Sequence, residues 1–295
     1  MKINIIDNKE YDSTTLNNQW VTSHDWYRSI DTFQNRFPND WEFTYWNQKN
    51  NDVSIFITRG VFAVDQIESK IKIAIPSDLR IFHAPIYEFI ENNIEKFDRV
   101  ITYDEQLISQ FPEKCFPAAA MKPWIWPKEK QCIYKKNKLC SFITSTKTMT
   151  PGHKFRVDIL NDIRKQFKSI DCFGEGHNPL PNDNEEDKLF GLQDYAFSIS
   201  MENHQSQYYF SEKLLDTILT GCVPIYWGCK GIENYFDTNG FILFNSKKEL
   251  YDILQNLTFD MYTDKLKYVQ ENFKRCQENY IDNFHYFVKE GTEWL

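Results

Sequence analysis

An α/β fold built on two parallel sheets is predicted by three features of the sequence. The first half alternates short apolar strands with amphipathic helices. The pattern stops at a proline-rich seam and then restarts. The second half contains a complete strand–loop–helix–strand unit, Ala196 to Trp227.

In the first half, Ile3–Ile6 reads as a strand and Asp25–Phe37 as a helix that stops before Pro38. Glu42–Trp46, Ser54–Thr58 and Lys70–Ile75 are β-rich, the last with strict alternation. Ile86–Phe97 carries apolar residues at helical spacing; Arg99–Tyr103 is a strand and Glu105–Phe111 a short helix. Residues 117–137 hold Pro117, Pro123, Pro127 and a Lys/Glu-rich stretch, which places a boundary near 130. The expected domains are therefore 1–130 and 131–295.

The second half gives strands at Leu139–Thr144, Ile170–Phe173, Ala196–Met201, Val223–Trp227 and Phe241–Phe244. Helices are expected at Lys154–Phe167, Ser211–Thr220, Lys247–Leu257 and about Tyr262–Val288. Residues 177–190 read as a polar loop with an acidic run, Asp183–Asp187. Its Asp183-Asn184-Glu185 does not follow an apolar strand, so it reads as a solvated loop rather than a metal-binding DxD.

Composition narrows the function classes. The 295-residue chain has a net charge of −8, which argues against a general nucleic-acid or anionic-membrane binder. The seven cysteines form no CxxC pair and no zinc-spaced Cys/His cluster; reduced thiols are the simplest reading. No apolar run approaches the roughly 20 residues of a membrane span. Met1–Asp7 lacks the apolar core of a signal peptide, so a cytoplasmic, soluble location is expected. No GxGxxG follows Ile3–Ile6 or Leu139–Thr144, which disfavours a dinucleotide enzyme.

Chemistry concentrates between Tyr195 and Gly228. The strand Ala196–Met201 ends in Glu202-Asn203. After a polar loop, Ser211 sits where an N-cap belongs and Glu212 opens the helix; Gly221 ends it. The helix start offers free N–H groups and a positive dipole end to an anion. Lys213 in the first turn is poorly placed against that dipole, and a phosphate would remove the conflict. Such a charge-assisted contact stabilises by about 1.5–3 kcal/mol. Glu212 suits sugar or ribose hydroxyls instead. The same spacing also fits an ordinary capped helix with a solvated Glu–Lys pair.

The run Glu202-Asn203, Tyr209, Ser211-Glu212-Lys213 and Val223-Pro224-Ile225-Tyr226-Trp227-Gly228 resembles the donor-binding signature of the α1,3-fucosyltransferase family. Met201 stands where the family has Phe, and Ser211 where it has Thr. Upstream, Ser141–Thr146, Arg156 and Asp171-Cys172-Phe173-Gly174 resemble the strand, helix Arg and following strand of the same family. The resemblance implies a GT-B architecture, with two Rossmann-like domains facing across a cleft and a last helix that crosses back to the first. It implies a nucleotide-sugar donor, usually GDP-fucose, held by Arg156, Glu202, Asn203, Tyr209, Ser211, Glu212 and Lys213. It implies transfer to a glycan hydroxyl with inversion, and neither metal nor cofactor beyond the donor.

An inverting transfer needs a base for the acceptor hydroxyl, and such a group contributes about 10²–10⁴-fold. The family places a Glu after a first-domain strand; here the position after Lys70–Ile75 falls on Asp78. His83 is a second candidate base. Asp104 and Glu105 are candidates for acceptor hydroxyls, and Trp124 and Trp126 either stack on sugars or pack the seam. Asp in place of Glu leaves two alternatives open: another nucleotide sugar on the same scaffold, or an inactive nucleotide- or glycan-binding protein.

Overall fold

The computed structural model of the chain describes residues 1–6, 40–45, 49–76, 79–117, 123–125, 127–181 and 185–280. These divide into two compact units, one within Met1–Ala118 and one within Ala119–Ile281. The expected helix Asp25–Phe37, Asp78, Trp126 and residues 281–288 of the expected terminal helix lie outside the described residues.

The first unit holds a six-stranded sheet. Its strands are β1 (Lys2–Ile6), β2 (Glu42–Tyr45), β3 (Asn51–Ile57), β4 (Ser69–Ile75), β5 (Arg99–Thr102) and β6 (Cys115–Pro117), in the order β2-β1-β3-β4-β5-β6. Every pairing is parallel. Helix α1 (Arg80–Asn92) and helix α2 (Glu105–Gln110) follow β4 and β5. One face of the sheet packs Ile86, Tyr87 and Ile90 of α1 with Leu107 of α2. α1 starts six residues earlier than the periodicity predicts, because it bends at His83 (φ −137°) just before Pro85. That break divides the apolar repeat in two.

The second unit contains five parallel strands: β7 (Lys138–Ile143), β8 (Ile170–Phe173), β9 (Tyr195–Met201), β10 (Val223–Trp227) and β11 (Ile242–Leu243). Their order is β11-β10-β9-β7-β8. Helices α3 (Pro151–Gln166), α4 (Glu212–Leu219), α5 (Lys247–Asn256) and α6 (Phe259–Asn279) complete it. All seven residues of β9 are buried, as a strand covered on both faces requires. Leu214, Leu215, Ile218 and Leu219 of α4 are 0–2% exposed. Each stabilises the fold by roughly 1.5–3 kcal/mol. Gly221 follows α4 with φ +73°, the left-handed turn that a C′ glycine adopts at least cost.

The chain leaves β7 outward to β8, then returns to β9 on the other side. This makes the gap between β7 and β9 a topological switch point. Ligands of open α/β sheets bind outside the strand C-termini at such a point. The loops after Ile143 and Met201 lead there into α3 and α4.

Candidate functional site: the starts of α3 and α4

The start of α3 is held against the chain leaving β9. Thr150 caps α3 by accepting from His153 N–H, and its hydroxyl donates to the Asn203 carbonyl at 2.6 Å. A Cβ added to Gly152 would sit 2.3 Å from that carbonyl oxygen. Only glycine lets the first turn of α3 lie so close to the chain leaving β9. Asn203 keeps its side-chain Oδ1 buried without a hydrogen-bond partner among the described residues.

Glu202 is fully buried behind the start of α4. Its Oε1 accepts from the Ser211 N–H at 2.8 Å and its Oε2 from the Ser211 hydroxyl. Burial raises its pKa, and Lys213 and the Ser211 hydrogen bonds oppose that rise. Ser211 in turn caps α4: its Oγ accepts from the Lys213 N–H. Because Glu202 spends its oxygens on Ser211, it fixes where the helix begins.

Lys213 folds back over this start. Its Nζ lies 3.2 Å from Ser211 Oγ and 2.8 Å from Glu212 Oε1. The sequence conflict between a first-turn Lys and the helix dipole is thus met internally by Glu212. Burial would push the Glu212 carboxyl up, but Lys213 and Lys188 outweigh it and hold it at about 2. Glu212 is an anion at every ordinary pH.

Arg156 lies one turn into α3 and is 3% exposed. Its Nη1 donates to the Met201 carbonyl at 3.2 Å, and its buried Nε has no partner among the described residues. Burial lowers its pKa; Glu202, Glu212 and Tyr209 counteract that. A buried guanidinium with an unmet donor is costly unless something else completes its fork. Tyr209 is 5% exposed, and its N–H donates to the Ser206 hydroxyl. Burial and the two glutamates keep its hydroxyl protonated.

The structure therefore brings Arg156, Glu202, Asn203, Tyr209, Ser211, Glu212 and Lys213 to one end of one sheet. Asp78, the candidate base, lies outside the described residues. Of the other first-unit candidates, Asp104 is engaged: it caps α2 and takes a two-toothed contact from Arg80 at 2.7 and 2.9 Å. Among the described residues, no group of three or more His, Cys, Asp or Glu could hold a metal ion, and no helix is long and apolar enough to cross a membrane.

Sequence reasoning passed over His153 and Lys188. His153 is buried with its Nδ1 2.8 Å from Thr150 Oγ, and burial together with Arg156 and Lys213 lowers its pKa to about 4. Lys188 stood in a run, 177–190, expected to be a polar loop. Residues 185–191 instead form a 3₁₀ turn that buries it. Leu189 and Leu192, packed on the cluster around Ile125 and Cys222, were the apolar signal that could have revealed this turn.

Residues 133–281 match the model for the C-terminal part of glycosyltransferase family 10 (fucosyltransferase). The Helicobacter pylori alpha-(1,3)-fucosyltransferase FucT is 26% identical over 154 residues, 52% of this chain and 30% of that protein. The mouse 4-galactosyl-N-acetylglucosaminide 3-alpha-L-fucosyltransferase 9 is 27% identical over 180 residues, 59% of this chain and 46% of that protein. The chain thus spans less than half the length of these curated relatives. A solved alpha1,3-fucosyltransferase with GDP-fucose superposes with a TM-score of 0.55 and 17% identity, covering 96% of this chain and 92% of the other. That likeness covers both sheets, and the fold is the GT-B class of two parallel-sheet α/β domains. With half of its length matched by the family model, the chain belongs to glycosyltransferase family 10, the fucosyltransferases.

Proposed function

We propose that this chain transfers L-fucose from GDP-fucose to a hydroxyl of a glycan acceptor, with inversion at the anomeric carbon. The observation that carries the donor half is Arg156. Its guanidinium is buried beside the end of β9, with Nε unmatched by any acceptor among the described residues. A diphosphate supplies that acceptor, and Arg presents it a fixed planar fork. Lys213 and the positive dipole end of α4 stand ready for the same anion. In this reading Tyr209 and Asn203 line the donor, Glu212 accepts from its hydroxyls, and Glu202 and Ser211 hold the helix start in place.

The chemistry follows from charge. The acceptor oxygen bonds to the anomeric carbon as the bond to the diphosphate breaks, and the electron pair leaves with the phosphate. Arg156 and Lys213 stabilise the charge that builds on the departing diphosphate. They supply what a metal would otherwise bring, so the reaction proceeds without one. The acceptor proton goes to Asp78, proposed as base from its place after β4 in sequence. GDP-fucose is the nucleotide sugar of a similar solved structure, and the mouse relative's name specifies a galactosyl-N-acetylglucosaminide acceptor. A cytoplasmic setting, where nucleotide sugars and free thiols coexist, suits this reading.

The test is turnover. Purified chain is incubated with GDP-fucose and a galactosyl-N-acetylglucosaminide, and released GDP and fucosylated product are measured. Product and GDP should form in equal amounts. Transfer from GDP-mannose or a UDP-sugar, with none from GDP-fucose, would replace the proposed donor.

A further inference from the structure

A second buried charge cluster lies behind Glu212 and contributes nothing directly to the donor contacts described above. Lys188 is 8% exposed and Asp216 1%. Lys188 Nζ donates to Asp216 Oδ2 at 2.8 Å and stands 3.8 Å from Glu212 Oε1. It also lies 3.9 Å above the Trp124 ring. Asp216 Oδ1 accepts from the Ile125 N–H at 2.9 Å. One ammonium thus ties three pieces of chain together: the segment around Trp124, the 185–191 turn, and helix α4 at Glu212 and Asp216.

Burying three charges is expensive, and an apolar trio of similar volume would stabilise the fold at least as well. Anchoring alone does not require a third partner, because Asp216 already pairs with Lys188. The approach to Glu212 is the surplus feature. We propose that Lys188 is a positioning residue for donor recognition: anchored by Asp216 and seated on the Trp124 ring, it holds the Glu212 carboxylate in place at the start of α4. This rests on the reading of α4 as the donor site.

Two cations face Glu212 closely. Lys213 comes from its own helix and is 21% exposed in its side chain; Lys188 comes from behind and is 10% exposed. If Lys213 turns to a diphosphate, Lys188 remains as the cation behind Glu212. The other charged and titratable groups around Glu212 are Arg156 from α3, Glu202 at the end of β9, Tyr209 before α4, and Asp216 one turn further on. Burial and Glu202 disfavour its charge, and both remain when Lys188 and Asp216 are neutralised together. Its folded-state value then rises from about 2. Binding that needs the carboxylate is lost as pH falls through that value, so the variant loses affinity on acidification sooner than the wild type.

The experiment is calorimetric titration of the full chain with GDP-fucose at about pH 7.5 and about pH 5, where its diphosphate keeps the same charge. Lys188→Met alone strands Asp216, so the decisive variant is Lys188→Met with Asp216→Asn, which keeps an acceptor for the Ile125 N–H. It should bind about tenfold more weakly at the higher pH, with a wider gap at the lower one. Lys188→Arg should restore most of the affinity. A folded double variant that binds like the wild type at both pH values overturns the role of Lys188 and leaves the donor site standing. A wild type that fails to bind GDP-fucose overturns the donor site, and this role with it.

Discussion

Arg156→Met separates a structural arginine from a ligand-binding one, because the two predict opposite effects on the empty protein. The guanidinium is 3% exposed and, among the described residues, makes one hydrogen bond, to the Met201 carbonyl. Replacing it with Met removes that bond, at a cost of about 1 kcal/mol, and removes a buried unmatched donor whose burial costs about 1–3 kcal/mol. It also ends the favourable field from Glu202 and Glu212. These contributions nearly cancel, so the ligand-free melting temperature should stay within about 3 °C of wild type or rise. Binding behaves differently. Two charge-assisted bonds to a diphosphate, at about 1.5–3 kcal/mol each, set a loss of about 10²–10³-fold or more in GDP affinity. Melting without ligand and calorimetric titration with GDP measure both. A variant that melts far below wild type yet binds GDP equally well would show that Arg156 is structural and refute the reasoning.

Other outcomes follow from the same geometry. Helix propensity favours Gly152→Ala by about 1 kcal/mol, but the new Cβ meets the Asn203 carbonyl at 2.3 Å. The variant should therefore lose about 1–3 kcal/mol, read by chemical denaturation; a stabilised variant would disprove the close approach. His153 has a folded value of about 4, below its ordinary one. The unfolded chain binds the extra proton, so this contribution is complete above about pH 6.5 and falls away as pH drops towards 4. Denaturation across that window should show His153→Gln with a flatter pH dependence than wild type, the difference reaching up to about 3 kcal/mol; parallel curves would count against it. Asp78→Asn should reduce kcat about 10²–10⁴-fold while GDP affinity holds, and unchanged turnover would remove Asp78 as base. Activity should survive EDTA; its loss, restored by a divalent cation, would contradict a reaction that relies on Arg156 and Lys213.

The second unit was largely legible from sequence because its signals were local. Ser211, the apolar face of α4 and Gly221 marked both ends of the helix, and the continuous apolar run Val223–Trp227 marked a covered strand. Strand β6, three residues long and inside a proline-rich stretch, carried no periodicity to detect. Helix α1 was misplaced because Pro85 and the bend at His83 hide its first turn. Within the site, identity and spacing pointed to Lys213, and the family resemblance pointed to Arg156. They could not show that Glu202 is spent on Ser211, since that depends on a contact between β9 and α4. Lys188 was hidden for a related reason: its partners Trp124, Glu212 and Asp216 lie far away in sequence, and its neighbours are acidic.

The central claim is that the starts of α3 and α4 form a nucleoside-diphosphate-sugar site. The most direct measurement is thermal unfolding of wild type and Lys213→Ala in the presence of GDP, UDP, dTDP and their sugars. GDP and GDP-fucose should raise the wild-type melting temperature, and Lys213→Ala should abolish the shift. No stabilisation by any nucleotide at about millimolar concentration, or a shift that survives in Lys213→Ala, would contradict it.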